Sequence, residues 1–156
     1  MVTVTVPDGF QYVGAALVTT VWLLFYQVRK VGKFRRTSGV KYPQLYAEKA
    51  EVAASTEALK FNCAQRAHQG TLEFLPIIYP TALIAGLKFP HLAAASVAMW
   101  TIGRASFTRG YTTGDPDKRV TTLYKLSYIG LFGLLFTSTY VAGEWVVAGI
   151  CSASKL

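Results

Sequence analysis

The chain has 156 residues, a length that fits one domain. Hydrophobic residues make up 52% of it and charged residues only 15%, against the roughly one quarter usual in soluble domains, which excludes water as the solvent for most of the chain. The net charge of +8 suits an anionic membrane face or a small anionic ligand, and the apolar bulk excludes nucleic acid as a partner.

In chain order, the first apolar run is Phe10 to Val28, uncharged and long enough to cross a bilayer, which takes roughly 20 apolar residues. It lacks a basic leader and a small-residue cleavage site, so it reads as a spanning helix over about residues 10–31 and not as a removable signal. A basic loop follows, with Arg29, Lys30, Lys33, Arg35, Arg36 and Lys41. The second run, Phe74 to Leu87, is short and becomes a full span (58–87) only by reaching back through Glu73 to Arg66 and beyond. Pro76 and Pro80 lie inside it, where membrane helices tolerate proline. The third, from His91, must reach forward through Arg104 to Tyr111 (91–111), and the fourth covers 122–150 around Leu126 to Gly143. The expected fold is therefore an all-α membrane protein: one domain over 1–156, a four-transmembrane-helix up-down bundle.

The turn at Lys88 to Pro90 makes the second and third helices an antiparallel hairpin. Glu73 lies fourteen residues before Leu87 and Arg104 thirteen after His91, so at about 1.5 Å per residue the two charges sit at nearly one depth. Gly70 and Phe107 share the next level, and Arg66 and Tyr111 the one after. Ionisable groups inside a membrane are costly and usually paired, so these are expected to face the bundle interior. Arg66, Gly70 and Glu73 at i, i+4 and i+7 form one helical face, with Asn62 and Gln69 close to it. The basic residues of the first loop, with Arg109, Lys118 and Arg119 of the third, put those loops in the cytosol and both termini in the lumen.

Several cations around one carboxylate suit a small zwitterionic or anionic peptide, its carboxylates pairing with arginine and its amine with Glu73. If that peptide carries a thiol, nearby cations favour the nucleophilic thiolate. The plainer alternatives are an intrahelical Arg66–Glu73 pair and juxtamembrane lysines that bind lipid headgroups. Tyr42, Tyr46, Tyr124 and Trp145 read as an interfacial aromatic belt. His68 stands alone, so no metal is expected. Cys63 reads as a core residue, and Cys151 as an inert or acylated thiol near the membrane edge. The C-terminal Ser154-Lys155-Leu156 matches a peroxisomal address, in conflict with lumenal termini.

The stretch Phe61-Asn62-Cys63-Ala64-Gln65-Arg66-Ala67-His68-Gln69-Gly70-Thr71-Leu72-Glu73 resembles the hallmark of the MAPEG superfamily, the membrane-associated proteins of eicosanoid and glutathione metabolism. Gly103-Arg104 through Gly110-Tyr111-Thr112-Thr113-Gly114-Asp115-Pro116-Asp117-Lys118-Arg119, and Val40-Lys41-Tyr42-Pro43, extend the resemblance over all four helices, with a longer first loop. The resemblance implies a homotrimer in the endoplasmic reticulum membrane that binds glutathione as co-substrate near the cytosolic surface. It implies conjugation to lipophilic electrophiles or reduction of lipid hydroperoxides. By the same resemblance Arg66, Gln69, Gly70, Glu73, Arg104, Phe107, Tyr111 and Lys33 are glutathione-site positions, and Arg119 or Lys118 activates the thiol.

Two positions depart from the family pattern, which has Asn where this chain has Gly70 and commonly Tyr where it has Phe107. Both lost groups form hydrogen bonds, which implies weaker or rearranged glutathione binding. They keep a second reading in play: a non-catalytic lipid-binding scaffold like the 5-lipoxygenase-activating protein.

Overall fold

The computed structural model describes residues 6–153. The five N-terminal residues and the Ser154-Lys155-Leu156 address lie outside the described residues. The chain folds into α1 (Phe10–Ser38), the short α2 (Lys49–Ala54), α3 (Thr56–Gly86), α4 (Pro90–Tyr111), a 3-10 turn (Pro116–Arg119) and α5 (Thr122–Ala153), with no strand among the described residues. Of the four long helices, α1 and α5 are long and apolar enough to cross a membrane.

The bundle is built from one face of each helix. Val13, Ala16, Thr20, Leu23 and Gln27 recur at helical spacing and form the buried face of α1. They meet Leu75, Ile78, Ala82 and Ala85 of α3, and Ala93, Val97 and Trp100 of α4, in one core closed by Leu131 and Leu134 of α5. The outward faces are equally apolar: Val18, Val21, Trp22 and Phe25 on α1, and Ile129, Phe132, Phe136 and Ile150 on α5, are all exposed. So large an apolar surface calls for a lipid solvent.

Small residues let α4 and α5 touch backbone to backbone. A Cβ on Gly103 would lie 2.2 Å from Ser127 Cβ, and one on Gly130 would lie 2.5 Å from the Ser96 carbonyl oxygen. Membrane helices associate through such small-residue contacts. At the hairpin end Lys88 Nζ donates to Glu144 Oε1 at 2.6 Å and Tyr140 Oη to the same carboxylate at 2.9 Å, tying the α3–α4 turn to α5.

The first helix does not stop near residue 31. It continues to Ser38 and ends at Gly39, which takes φ of 73°. The basic residues disguised this extension, but Phe34 and Arg35 are buried against Phe61, Ala58 and Val40, which gives the last two turns their own small core. The Arg35 guanidinium sits over the rings of Tyr42 (4.2 Å) and Phe61 (4.5 Å) and donates to the Gln44 carbonyl. Hydrogen bonds from Lys60 and Thr37 hold the Glu57 carboxyl below the usual carboxylate range and link the end of α1 to the start of α3.

Asn62 fixes the long first loop. Its Oδ1 accepts from the Ala47 amide at 2.7 Å and its Nδ2 donates to the Ala47 carbonyl at 2.9 Å. Asn62→Ala would leave both groups of the buried Ala47 unpaired, at about 2–3 kcal/mol. The expected result is a lower unfolding midpoint in detergent and faster proteolysis within residues 40–48. An unchanged midpoint would mean that the loop is held elsewhere.

Candidate functional site

Four segments converge on one cavity of about 260 Å³ at the end of the bundle opposite the α3–α4 turn. From α3 come Arg66, Gly70, Glu73 and Phe74; from α4, Arg104, Phe107 and Tyr111; from the 3-10 turn, Arg119; and from α5, Tyr124. The i, i+4, i+7 spacing on α3 aims its first three residues at this space.

Three guanidiniums and one carboxylate define its electrostatics. Arg66 Nη1 lies 2.7 Å from Glu73 Oε1 and its Nη2 3.3 Å from Oε2, a two-point pair along one helix face with both side chains half exposed. Arg119 Nη1 donates to the Pro116 carbonyl and lies 3.4 Å from Asp117 Oδ1, with its guanidinium 5.5 Å from the Tyr111 ring centroid. Arg104 is different. Only 4% exposed, it donates from Nε and Nη2 to Thr71 Oγ1 (3.2 and 3.1 Å) and from Nη2 to the Ala67 carbonyl (3.2 Å). Its guanidinium lies 4.6 Å from the Phe107 ring centroid.

This geometry refines the depth count. Glu73 and Arg104 border the same cavity but are not paired: Glu73 turns to Arg66, and Arg104 turns one helical turn the other way, to Ala67 and Thr71. Gly70 consequently faces Arg104, whose Nη2 lies 3.1 Å from where a Cβ would stand. Phe107 packs on the rings of Tyr111 (5.3 Å) and Tyr124 (4.7 Å).

Three of the residues singled out from the sequence do not line this cavity in the single chain. Lys118 points away from the cavity toward Asp115, 3.7 Å distant, because adjacent residues of a 3-10 turn diverge. Gln69 accepts a hydrogen bond from the Tyr46 hydroxyl, which lies within electrostatic reach of Arg66, Glu73 and Tyr111. Lys33 lies on α1 in a separate open groove with Tyr26, Arg29, Lys30, Arg36 and Tyr42.

Sequence reading passed over Gln27, Thr71, Thr108 and Phe74. Gln27 is fully buried on α1, and its Nε2 donates to Thr71 Oγ1 and Thr108 Oγ1, both at 2.8 Å. The available signal was a lone amide inside an otherwise apolar run. Tyr124, expected in the belt, instead lines both this cavity and a narrow cleft behind it formed with Phe74, Trp100, Arg104, Ser127, Tyr128 and Leu131. Cys63 is buried, as a core residue would be, and Cys151 is exposed at the far end of α5.

With three guanidiniums against one carboxylate, the cavity offers a net positive field for an anion, and Glu73 offers a place for an amine. In comparison with known families, the model of the MAPEG family matches residues 12–140, a range that contains every residue lining the cavity.

Proposed function

This chain belongs to the MAPEG family, and from that premise we propose that it is a membrane glutathione transferase or peroxidase that activates the glutathione thiol in the cavity between α3, α4 and α5. Within the family, we read its motifs as of the microsomal glutathione S-transferase 3 type. The family includes glutathione-dependent enzymes and non-catalytic members. The observation that carries the enzyme reading is the cavity itself, where three guanidiniums, one carboxylate and Tyr111 face one space of peptide-binding chemistry.

In this reading Arg66 and Tyr111 hold the peptide, and Glu73 receives its amine. Arg119 closes the mouth and favours the thiolate, a role that falls to it in preference to Lys118 because it lines the cavity. The thiol loses its proton to water. The sulfur then attacks a lipophilic electrophile to form a thioether, as a leaving group departs with the displaced electron pair or the opened or added bond takes a proton from water; or it attacks a lipid hydroperoxide, breaking the O–O bond so that the alkoxide takes a proton from water and leaves as the alcohol, with glutathione sulfenic acid remaining for a second glutathione to convert to disulfide and water. The protein supplies position and charge, and no covalent bond to it forms. Lys33 lines a groove separate from its own chain's cavity, which fits a homotrimer in which the basic groove of one subunit borders the cavity of the next. The proposed setting is the endoplasmic reticulum membrane with the cavity open to the cytosol, the C-terminal tripeptide leaving the peroxisome as a minor alternative.

The test is a glutathione titration of the protein in detergent, reading the ultraviolet band of the thiolate. A saturable band is expected. Arg66→Ala is expected to weaken the apparent Kd by about 10–100-fold, the worth of a lost charge-assisted contact of about 1.5–3 kcal/mol. No band at millimolar glutathione would overturn the enzyme reading in favour of a lipid-binding scaffold.

A further inference from the structure

Tyr46 belongs to the long first loop, yet its hydroxyl stands beside the cavity. Anchors on either side fix it there. Arg35 Nη1 donates to the Gln44 carbonyl at 2.8 Å, and Asn62 bonds to both backbone groups of the buried Ala47. The Glu48–Glu51 capping box then starts α2 directly after Ala47. A chain pinned at residues 44 and 47 leaves the backbone of Tyr46 little freedom to lose when a ligand arrives.

The Tyr46 hydroxyl donates to Gln69 Oε1. Gln69 comes three residues after Arg66 and four before Glu73, so the three share one face of α3. The phenol consequently lies within electrostatic reach of Arg66, Glu73 and Tyr111, all of which line the cavity. The Arg66 and Glu73 side chains are half exposed, so a ligand can meet them and Tyr46 together. Burial raises the Tyr46 phenol above its ordinary value, and at neutral pH it keeps its proton. A phenol donates one hydrogen and accepts through its lone pairs. Gln69 takes the hydrogen, which leaves the oxygen to act as an acceptor toward a ligand. The donor that suits an acceptor next to a carboxylate is an ammonium.

We propose that Tyr46 is a specificity-determining residue of the site: its oxygen accepts a hydrogen bond from the ammonium group of the bound thiol peptide, beside Glu73, while Gln69 orients the phenol. The inference rests on the glutathione reading above and names the feature of the peptide that the first loop recognises. Glu73 is already shared with Arg66, so an incoming ammonium, with three hydrogens to place, needs a further acceptor. Tyr46 supplies it. Thiol peptides with a free amine are thereby favoured over those whose amine is missing or acylated.

The experiment compares glutathione with its deaminated analogue, glutaryl-cysteinyl-glycine. Both are titrated by calorimetry into the full-length protein in detergent, unaltered and as Tyr46→Phe and Gln69→Leu. Tyr46→Phe is expected to weaken glutathione binding about tenfold, the scale of one hydrogen bond to a charged group. Binding of the deaminated analogue is expected to change by less than about twofold, because it has no ammonium to lose a partner. Gln69→Leu keeps the phenol but frees its hydrogen, and the same pattern is expected there at about threefold. Unchanged glutathione affinity in Tyr46→Phe, or in Gln69→Leu where Tyr46→Phe does not fold, would overturn the inference and leave the glutathione reading standing. So would equal losses for the two ligands, which would place the hydroxyl on a part of the peptide other than its amine. If the unaltered protein binds neither ligand, the glutathione reading falls and this inference with it.

Discussion

Arg119→Ala is expected to lower turnover by about 10²-fold, the usual cost of removing one preorganised electrostatic contact, whereas Lys118→Ala stays within about twofold. The two residues are neighbours in sequence and carry the same charge, so composition cannot separate them. Their geometry does. Arg119 lines the cavity, is steadied by the Pro116 carbonyl and stacks toward Tyr111. Lys118 is largely exposed and leans to Asp115. The turn itself is stiff, since Asp115 accepts from the Asp117 amide at 3.1 Å and Pro116 starts it. Steady-state turnover with a lipophilic electrophile and with a lipid hydroperoxide is the measurement. Equal losses in the two variants would mean that the turn rearranges when glutathione binds.

Gly110→Ala is expected to produce a comparable loss although it removes no charge. A Cβ on Gly110 would stand 2.0 Å from the Lys118 carbonyl oxygen, 2.8 Å from its carbon and 3.3 Å from Arg119 Cα. All three are backbone atoms, so the turn that carries Arg119 must move as a unit. The overpacking is expected to cost about 1–3 kcal/mol of stability as well. Gly14→Ala is the control: nothing lies within 4 Å of its Cβ position, and there alanine is expected to be neutral or slightly stabilising. Turnover and unfolding midpoint measured together check the pair. Full activity in Gly110→Ala would contradict the close packing of turn on helix.

Much of this arrangement can be read from residue spacing. Counting from the α3–α4 turn puts Arg66, Glu73, Arg104 and Tyr111 at related heights, and all four border the one cavity. Counting gives height along a helix but not the direction in which a long side chain turns. Arg104 therefore looked like a partner of Glu73, although Thr71 and Ala67 hold it. Gln27 was hidden by averaging, because one amide hardly changes the hydropathy of a 19-residue run, yet it is fully buried and bonds to both Thr71 and Thr108. The end of α1 was obscured by the opposite effect. A run of cations reads as a solvated loop, and only Phe34 and Arg35 packing on Phe61 make it helix. Nothing local in the sequence distinguishes Lys33, in the outer groove, from the cations that reach the cavity.

With 29 residues, α1 is about 43 Å long, well beyond the roughly 30 Å of a hydrocarbon core and longer than the 22-residue α4 beside it. The surplus is the part that carries Arg29, Lys30, Lys33 and Arg36, so these charges stand clear of the acyl chains on the side where the cavity opens. A dissolved anion drifting toward the membrane meets this raised positive surface before it meets the protein's interior. The overhang thus acts on the frequency of productive encounters more than on events inside the cavity, and its reach shrinks to about 8 Å at physiological ionic strength.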